Sequence, residues 1–498
     1  MVKQYQNYVK GWIKPHHGSY GEVRNPFNQE LLAKVPSSDL EDVRHAVDIA
    51  RETFDKGLWS GLLPGDRAKI IWRLADLVES DLNGLALLES KNQGKTIKYA
   101  RDSDLPFIVD NLRFFAGAAR VLEGKAANEY SGMGTSLIKR EPVGVVAGIV
   151  PWNYPLYLAV WKLAPALAAG NTVVMKPSSL TPLTLLEFCM LAEKAGLPKG
   201  VLNVVVGDGN ILGPELVRSR KVDMVSFTGD TATGRRVLEQ VSKNVKKVAL
   251  ELGGKAPLVV LEDADLEMVA NGAVVGGFWN AGQDCTAVTR VLVPKKLHDP
   301  LVKRMVHLTK QFKLGDQTKE STDMGPLVSE KQVQKVESYV EIAHEEGAKV
   351  MVGGARPKGK IFEKGFFFEP TILTKVKQQS RVCQEEIFGP VIAVLPYDDV
   401  DDAVQKANDV EYGLAASVYG KDAKTLLNIA KKLNVGTVWV NEHGVLTSET
   451  PHGGFKQSGF GKDLSMYSFE EYTRVKHVYL DQTGLARRPW HYTVFGKK

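Results

Sequence analysis

Cys285 has the sequence surroundings of a reactive thiol. It lies in WNAGQDCTAVTR (279–290), where glycine and small polar residues replace the apolar neighbours of a core cysteine. A cysteine nucleophile attacks carbonyl carbon as its thiolate, and it needs access, a lowered pKa and a group that stabilises the oxyanion. Backbone amides at the start of the following segment, AVTRVLV, could favour the thiolate. From these residues alone, a catalytic role and a structural role both stay open for Cys285.

The other two cysteines differ from Cys285 in their surroundings. Cys189, in LLEFCMLAEK, lies on an apolar helical face and is predicted to be a core residue, whereas the role of Cys383 in SRVCQEEIFGP stays open. The three cysteines are far apart, and the sequence has no CxxC pair or Cys/His cluster. We therefore expect neither a disulfide framework nor a metal site.

Two distant residues could complete the chemistry of a nucleophilic thiol. Glu251 stands inside the apolar strand VALELGG, and burial of a carboxylate raises its pKa and suits a base that works near neutral pH. A structural carboxylate that caps backbone amides is the alternative. Asn153 follows a buried strand in VPWNYP, where its amide could donate to an oxyanion. Tyr154 and Trp161 share a helical face, although such a stripe is also typical of a core.

Two other strand ends have the features of a ligand site. Ligands bind to open parallel sheets beyond the carboxyl ends of the strands. One strand ends at Lys176 in VVMKPS, and another ends at SFTGDTATG, where Gly229 and Gly234 leave amides free at a helix N-terminus. This turn is not the GxGxxG fingerprint. An ordinary strand-to-helix turn and a solvated lysine are therefore alternatives.

The elements that must position these residues follow an α/β pattern. Residues 40–123 show helical periodicity. From residue 144, short Val- and Ile-rich runs alternate with helical segments, and a second alternation runs from about 268 to 440, which predicts parallel α/β sheets. YTRVKHVYLD (472–481) is an alternating strand that could pair with the segment in the 130s or with another chain.

Composition limits the class of protein. The chain has 498 residues, which predicts two or three domains, with 44% hydrophobic and 24% charged residues. The net charge of +6 is small and not arranged in blocks, so we expect no nucleic-acid partner. No apolar run has the length of a signal peptide or a membrane span, which favours a cytoplasmic protein without a membrane partner.

The motifs together resemble the aldehyde dehydrogenase superfamily over roughly residues 20–480. PWNYP, KPS, FTGDTATG, LELGGKAP, NAGQDC, EEIFGP and GGFKQSGFGKD stand in the family's order and spacing. GQDCTA, SETPHGG and GKDLSMYSFEEYT are most similar to the aminoaldehyde (γ-aminobutyraldehyde) and betaine aldehyde dehydrogenases. The resemblance implies an α/β fold with a Rossmann-type cofactor domain (1–123 and 143–253, with a return at 454–471), an α/β catalytic domain (254–453) and a small β oligomerisation flap (124–142 and 472–498).

The resemblance also implies roles for the catalytic residues. Cys285 matches the nucleophile that forms a thiohemiacetal and then a thioester. Asn153, with the backbone N–H of Cys285, matches the oxyanion hole, and Glu251 matches the base that activates the hydrolytic water. Lys162 and Asp463 match a pair that has been proposed to relay protons.

NAD or NADP is the cofactor that the resemblance implies. The positions that match its binding residues are Val150, Pro151, Trp152, Lys176, Ser178, Ser179, Gly209, Phe227, Thr228, Gly229, Asp230, Gly234, Leu252, Glu386 and Phe388. Ser179 stands where many NAD-preferring members have a glutamate, so we expect NADP to be accepted. Asp230 replaces the family's usual serine, and it would repel phosphate unless it turns outward or caps the following helix.

The substrate residues indicate an amine-bearing aldehyde as the small-molecule partner. Tyr154, Trp161 and Trp279 match an aromatic tunnel, and aromatic faces attract ammonium groups. His452 stands where betaine-specific members often have tryptophan, which favours a primary amine.

Two acids could add negative charge to the tunnel. Asp284 adjoins the cysteine, and Asp104 lies on a helix that borders the tunnel mouth in the family. Both could instead be surface or capping residues. Because His452 replaces a tryptophan of the betaine-specific members, we expect 4-aminobutanal to react faster than betaine aldehyde. Betaine aldehyde and a broad range of aliphatic aldehydes or semialdehydes are the alternative substrates. We also expect the protein to form a homodimer or a homotetramer.

Overall fold

The structure is a computed structural model that describes residues 2–496. The strands within this range, in chain order, are β1 (Lys3–Gln4), β2 (Asn7–Val9), β3 (Trp12–Ile13), β4 (Tyr20–Arg24), β5 (Leu31–Pro36), β6 (Lys125–Asn128), β7 (Gly134–Pro142), β8 (Val145–Ile149), β9 (Thr172–Lys176), β10 (Leu202–Val204), β11 (Met224–Thr228), β12 (Lys247–Glu251), β13 (Pro257–Val260), β14 (Arg290–Pro294), β15 (Lys349–Val352), β16 (Thr371–Thr374), β17 (Val391–Tyr397), β18 (Tyr412–Gly413), β19 (Ala415–Tyr419), β20 (Thr437–Val440), β21 (Phe455–Lys456), β22 (Gly459–Phe460) and β23 (Thr473–Asp481).

The α-helices are α1 (Leu40–Asp55), α2 (Pro64–Ser80), α3 (Leu82–Gln93), α4 (Ile97–Tyr99), α5 (Leu105–Val121), α6 (Pro155–Ala169), α7 (Leu183–Ala195), α8 (Gly209–Arg218), α9 (Thr231–Val241), α10 (Leu266–Phe278), α11 (Lys295–Thr309), α12 (Glu330–Glu345), α13 (Arg381–Gln384), α14 (Val400–Asn408), α15 (Ala423–Lys432), α16 (Ser465–Glu471) and α17 (Tyr492–Phe495). A π-helical turn, Ala100–Asp104, joins α4 to α5, and short 3-10 turns lie at Trp279–Gly282, Lys360–Phe362 and Pro489–His491.

An eight-stranded sheet carries the predicted strand ends. Its order is β22-β12-β11-β8-β9-β10-β2-β3, and its central strands β8 to β12 are parallel. Helices cover both faces, since Val145 and Ala147 of β8 pack with α1, α8 and α9. Val146 faces the other way, into a core that includes α2, α6 and α7. Burial on both faces explains the continuous apolar runs, and the predicted parallel α/β sheet is confirmed.

A seven-stranded sheet forms from the second alternation. Its order is β15-β16-β17-β14-β13-β19-β20, and it is parallel except for β15. Helices α10, α11, α12, α14 and α15 contribute to its core. The chain afterwards returns to the first sheet, where β22 pairs antiparallel with β12.

A three-stranded antiparallel sheet, in the order β23-β7-β6, joins distant parts of the chain. β23 pairs with β7 from Thr473 opposite Pro142 to Asp481 opposite Gly134, which confirms the predicted pairing with the segment in the 130s. Two smaller sheets, β1-β5-β4 and β18-β21, complete the fold. Among the described residues, no helix has the length and apolarity to cross a membrane. The division of the chain into domains stays a prediction.

Candidate active site

Cys285 follows a strained backbone segment between α10 and β14. Asn280, Ala281 and Gly282 have φ values of 48°, 56° and 69°. This left-handed conformation costs a non-glycine residue about 1–2 kcal/mol, and side-chain contacts must therefore hold it. Asn280 supplies one of them, because its Nδ2 donates to the carbonyl of Asn153 at 3.0 Å. A hydrogen bond thus joins the segment before the thiol to the loop that follows β8.

Asn153 lies beside the same segment, as predicted for an oxyanion-hole residue. It is buried, and its Nδ2 donates to the Gln283 carbonyl at 3.1 Å. Its Oδ1 has no hydrogen-bond partner within residues 2–496. The side-chain amide is therefore held at the carbonyl of Gln283, which stands two residues before Cys285, and a small movement could redirect its N–H groups to a substrate oxygen.

Glu251 is the last residue of β12 and is 4% exposed. Burial and, secondly, the charge of Asp463 raise the pKa of Glu251 to about 8, while Lys162 and Lys462 oppose the shift. This agrees with the predicted base that works near neutral pH.

Lys162 and Asp463 form the predicted buried pair. Lys162, on α6, donates a hydrogen bond from Nζ to Asp463 Oδ2, and their side chains are 1% and 5% exposed. Burial is the main cause that raises the pKa of Asp463, while Lys162 opposes it. Both members of the pair act on the Glu251 carboxyl, because the charge of Asp463 raises its pKa and the charge of Lys162 lowers it.

The surroundings of the Cys285 thiol raise its pKa well above the usual range. Burial is the main cause, and the charges of Asp284, Glu251 and Glu386 add to it. The residue's own backbone N–H opposes the shift, so the expected help from an amide is only a minor effect. The free thiol is therefore protonated at neutral pH, and both Cys285 and Glu251 become more reactive as the pH rises.

A cavity of about 800 Å³, here called the sheet-edge cavity, opens at the carboxyl ends of the first sheet. Its wall includes Cys285, Asn153, Glu251 and all but one of the positions predicted to bind the cofactor: Val150, Pro151, Trp152, Lys176, Ser178, Ser179, Gly209, Phe227, Thr228, Gly229, Asp230, Leu252, Glu386 and Phe388. Its size and lining fit a dinucleotide, and the buried Thr228 Oγ1 has no hydrogen-bond partner among the described residues.

Gly234 is the one exception, because it does not line this cavity. A Cβ built on Gly234 would lie 2.6 Å from Leu252 Cδ2. The glycine therefore allows α9 to pack closely on the end of β12, which corrects the prediction of direct cofactor contact.

Asp230 caps α9, which was one of the two outcomes expected for it. Its Oδ1 accepts from the Thr233 backbone N–H at 2.9 Å, and its Oδ2 accepts from Thr233 Oγ1 at 2.7 Å. Both carboxylate oxygens thus accept hydrogen bonds from the first turn of α9. The N-terminal end of a helix also favours the negative charge of a carboxylate.

Lys176 and Glu386 occupy separate parts of the cavity wall. Lys176 Nζ donates to the Pro177 carbonyl at 2.7 Å, and burial lowers the pKa of Lys176 to about 8. Glu386 Oε1 accepts from the Gly254 N–H at 2.9 Å. Next to it, the Phe388 ring meets the Trp152 ring edge-on, with centroids 5.3 Å apart. These positions agree with the predicted contacts to the two ends of a dinucleotide.

A second cavity of about 750 Å³, here called the aromatic cavity, shares Cys285 and Glu251 with the first. The predicted substrate residues Tyr154, Trp161, Trp279, Asp284 and His452 all line it. Because the two cavities meet at Cys285, a ligand in each would approach the same sulfur.

Asp284 is held at this cavity by hydrogen bonds from both sides. Its Oδ1 accepts from the Thr286 N–H at 2.6 Å and from Thr286 Oγ1 at 2.7 Å. Its Oδ2 accepts from the Tyr154 hydroxyl, which also receives a hydrogen bond from Tyr99 at 2.9 Å. The carboxylate that adjoins Cys285 therefore has a fixed position at the cavity wall.

Asp104 does not line the aromatic cavity, which corrects its predicted role. It is 1% exposed and bonds to the buried Lys95 ammonium group. Lys95 in turn lies over the Tyr154 ring, 4.1 Å from its centroid. Asp104 neutralises a lysine behind the wall, so it cannot reach a substrate amine.

Several wall residues had no individual signal in the sequence. Helix α12 supplies Gln332 and Lys335 to the sheet-edge cavity, although it reads as an ordinary amphipathic helix. Tyr157 could have been predicted for the aromatic cavity, because it stands three residues after Tyr154 on the same helix. Cys189 and Cys383 are both buried core residues, so the open question about Cys383 is settled.

His16, His17 and Asp39 form a cluster that no Cys/His spacing in the sequence indicates. Their side chains meet at the start of α1, with the histidines exposed, and Asp39 caps that helix. The expectation that the chain has no metal site stays a prediction.

Comparisons with known proteins agree with this geometry. A model of the aldehyde dehydrogenase family matches residues 12–478. A betaine aldehyde dehydrogenase of Bacillus subtilis (strain 168) is 45% identical over 94% of this chain and 95% of its own length. A 2-aminomuconic semialdehyde dehydrogenase of Mus musculus is 40% identical over 95% and 97%. A crystal structure of betaine aldehyde dehydrogenase from Staphylococcus aureus in complex with NAD+ superimposes with a TM-score of 0.95 at 39% identity, covering 97% of this chain and 96% of that one. The chain therefore belongs to the aldehyde dehydrogenase family, and it is an oxidoreductase of that family.

Proposed function

We propose that this protein oxidises an aldehyde to the carboxylic acid with NAD as the hydride acceptor. The observation that carries the proposal is the placement of Cys285 where the sheet-edge and aromatic cavities meet. NAD is supported by the lining of the sheet-edge cavity and by the bound NAD+ of the Staphylococcus aureus relative. When bound, the nicotinamide ring would accept the hydride from the substrate carbon.

The residues of the chain perform the remaining steps. Cys285 Sγ gives its proton to water and forms a bond to the aldehyde carbon as the C=O π electrons move to the oxygen, while the Asn153 amide and the Cys285 N–H stabilise the oxyanion of the thiohemiacetal. Loss of hydride leaves a thioester on Cys285. Glu251 then takes a proton from water, the resulting hydroxide forms a C–O bond to the thioester carbon, and the S–C bond breaks to release the acid and the thiolate. Lys162 and Asp463 would pass the proton onward from Glu251.

The charges of the aromatic cavity favour a substrate with an ammonium group. Six acidic side chains line the cavity, one of which, Glu251, is largely neutral because its pKa is raised: Asp102, Asp110, Glu251, Asp284, Glu442 and Glu449. Among the described residues, no lysine or arginine lines it. Arg101 neutralises one of the six, Asp102. Negative charge and aromatic faces attract a cation and repel a carboxylate, so an aminoaldehyde such as 4-aminobutanal fits better than an acidic semialdehyde.

Betaine aldehyde is the second candidate, because relatives of similar length carry that name. His452 fills the position from which a further aromatic ring would face the ammonium group, and it packs edge-on against Trp161 with centroids 5.3 Å apart. This arrangement favours a primary amine over a trimethylammonium group. A panel of 4-aminobutanal, betaine aldehyde, pentanal and succinic semialdehyde, assayed for nicotinamide reduction, tests the order of preference.

A rival reaction within the family transfers the acyl group to coenzyme A or phosphate. The presence of Glu251 at the thiol favours hydrolysis instead. The purified protein should therefore oxidise aldehydes without either acceptor, and Cys285→Ser should abolish the reaction. Absence of aldehyde-dependent nicotinamide reduction across the panel would contradict the proposed function.

NADP should also be accepted. Ser178 and Ser179 line the cavity beside Lys176, so no carboxylate of this segment opposes a 2′-phosphate. Arg236 lines an adjoining groove of about 240 Å³ together with Gly209 and could attract the phosphate. Measurement of KM for both cofactors tests this, and strict use of NAD would contradict it.

A homodimer or homotetramer is supported by the exposed apolar residues of β23, namely Val475, Val478, Tyr479 and Leu480. Light scattering distinguishes these assemblies from a monomer. A cytoplasmic location stays a prediction from the sequence.

A further inference from the structure

His452 is held rigidly between the aromatic cavity and the residues behind Glu251. Its backbone exchanges two hydrogen bonds with Asp463, His452 N to Asp463 O at 2.8 Å and Asp463 N to His452 O at 2.7 Å. Its ring packs edge-on against Trp161 and is 1% exposed. The ring position is therefore determined by the strand-like pairing that also places Asp463, the partner of Lys162.

The His452 ring approaches the oxygen that Glu251 leaves unsatisfied. His452 Nε2 lies 3.5 Å from Glu251 Oε1. Oε1 is buried and has no hydrogen-bond partner in the described chain, since His452 Nε2 stays just beyond hydrogen-bond geometry, and His452 Nδ1 has no partner there either. Buried polar atoms are seldom left without a partner, and a bare acceptor is tolerated better than a bare N–H. The proton of the ring therefore belongs on Nε2, the ring nitrogen that faces Glu251, and a small approach of the two side chains would complete a hydrogen bond.

We propose that His452 is a positioning residue for hydrolysis, whose Nε2–H donates to Glu251 Oε1 and holds the carboxylate towards the Cys285 thioester. The inference rests on the proposed role of Glu251 as the base. It gives His452 a function distinct from the contact with the substrate amine that its position in the aromatic cavity suggests.

The surroundings of the ring make His452 a neutral donor towards Glu251. Burial lowers the pKa of His452 to about 4, Asp284 opposes the shift, and Lys462 and Lys162 add to it. At neutral pH the ring is uncharged. Asp463 and the two lysines also act on Glu251, so removal of the imidazole leaves those charges in place.

The test compares two substitutions at one position. His452→Phe keeps a ring but removes the donor, and His452→Gln places an amide N–H near the position of Nε2. Loss of a donor destabilises the carboxylate, so the pKa of Glu251 rises and less of the base is ionised at neutral pH. In His452→Phe we expect hydrolysis of the acyl-enzyme in single turnover at neutral pH to slow by about tenfold, from the usual strength of a hydrogen bond to a charged group.

Three further readouts separate positioning from a general structural defect. In His452→Phe the burst of reduced nicotinamide should keep its amplitude, and the pH at which the rate of hydrolysis reaches half its maximum should rise. His452→Gln should restore most of both the rate and the pH profile. If Phe at this position prevents folding, His452→Met supplies the donor-free variant.

An unchanged pH profile in the donor-free variant, or a Gln variant no better than it, would overturn the inference. Glu251→Gln distinguishes this from failure of the proposed function. If Glu251→Gln stops hydrolysis but His452→Phe does not alter it, only the positioning role is wrong. If Glu251→Gln hydrolyses its acyl-enzyme at the normal rate, the proposed base is wrong as well.

Discussion

The substitution Asp284→Asn should lower the activity towards an aldehyde with an ammonium group without lowering the activity towards an uncharged aldehyde. Asparagine keeps the oxygen that accepts both hydrogen bonds from Thr286, and its amide can donate to the Tyr154 oxygen in place of the Asp284 Oδ2 contact. The side chain should therefore stay in position, and the main change is the loss of one negative charge beside Cys285.

The expected size of the effect follows from Coulomb's law. Two unit charges about 7 Å apart attract by roughly 2 kcal/mol at an effective dielectric constant of about 20, and screening in an open cavity reduces this further. A loss of about 1–2 kcal/mol corresponds to a fall of about five- to thirtyfold in kcat/KM for 4-aminobutanal. Because the Asp284 charge also raises the pKa of Cys285, the variant should react faster with iodoacetamide at neutral pH.

The assay compares 4-aminobutanal with pentanal, an uncharged aldehyde of similar length, in the wild-type protein and in Asp284→Asn. We expect pentanal oxidation to be unchanged or faster, while 4-aminobutanal oxidation falls. An equal loss with both substrates would show that Asp284 acts on the fold of the Cys285 segment. No change with either would refute the reasoning that this carboxylate attracts the substrate.

Three further substitutions test separate parts of the structure. Ser179→Glu should lower kcat/KM with NADP by about tenfold through charge repulsion while NAD is still used, and equal effects on both cofactors would contradict this. Gly234→Val places side-chain atoms against Leu252, so unfolding in denaturant should show a loss of about 1–3 kcal/mol, and unchanged stability would contradict the packing role. Lys162→Met leaves the buried Asp463 without its partner, which should lower the free energy of unfolding by about 3–5 kcal/mol, and a neutral result would show that the carboxyl is protonated in the native protein.

The sheets and the central site residues could be predicted because they depend on local patterns. Strands buried on both faces give continuous apolar runs, and parallel strands bring their carboxyl ends to one edge. Lys176, Thr228 and Glu251 each end such a strand, so their convergence follows from the topology. The link between Cys285 and Asn153 came from the motifs, since the two residues are far apart in the sequence.

The surroundings of the acidic side chains could not be predicted in the same way. Asp104 ends a π-helical turn and contacts Lys95, which lies in the loop before α4, and helical periodicity predicts neither the π-helical turn nor a contact with a loop residue. The near contact between His452 and Glu251 depends on the pairing of His452 with Asp463, for which the sequence has no signal. Burial, which governs the pKa values of Cys285 and Glu251, is likewise a property of the folded chain.

Trapping of the acyl-enzyme in Glu251→Gln is the most direct test of covalent catalysis by Cys285 with Glu251 as the hydrolytic base. The variant is mixed with NAD and 4-aminobutanal, and intact-protein and peptide mass spectrometry follow. We expect one equivalent of reduced nicotinamide per active site and an added acyl group on the peptide that contains Cys285, with little further turnover. Continued turnover without an adduct, or an adduct on a peptide that lacks Cys285, would contradict it.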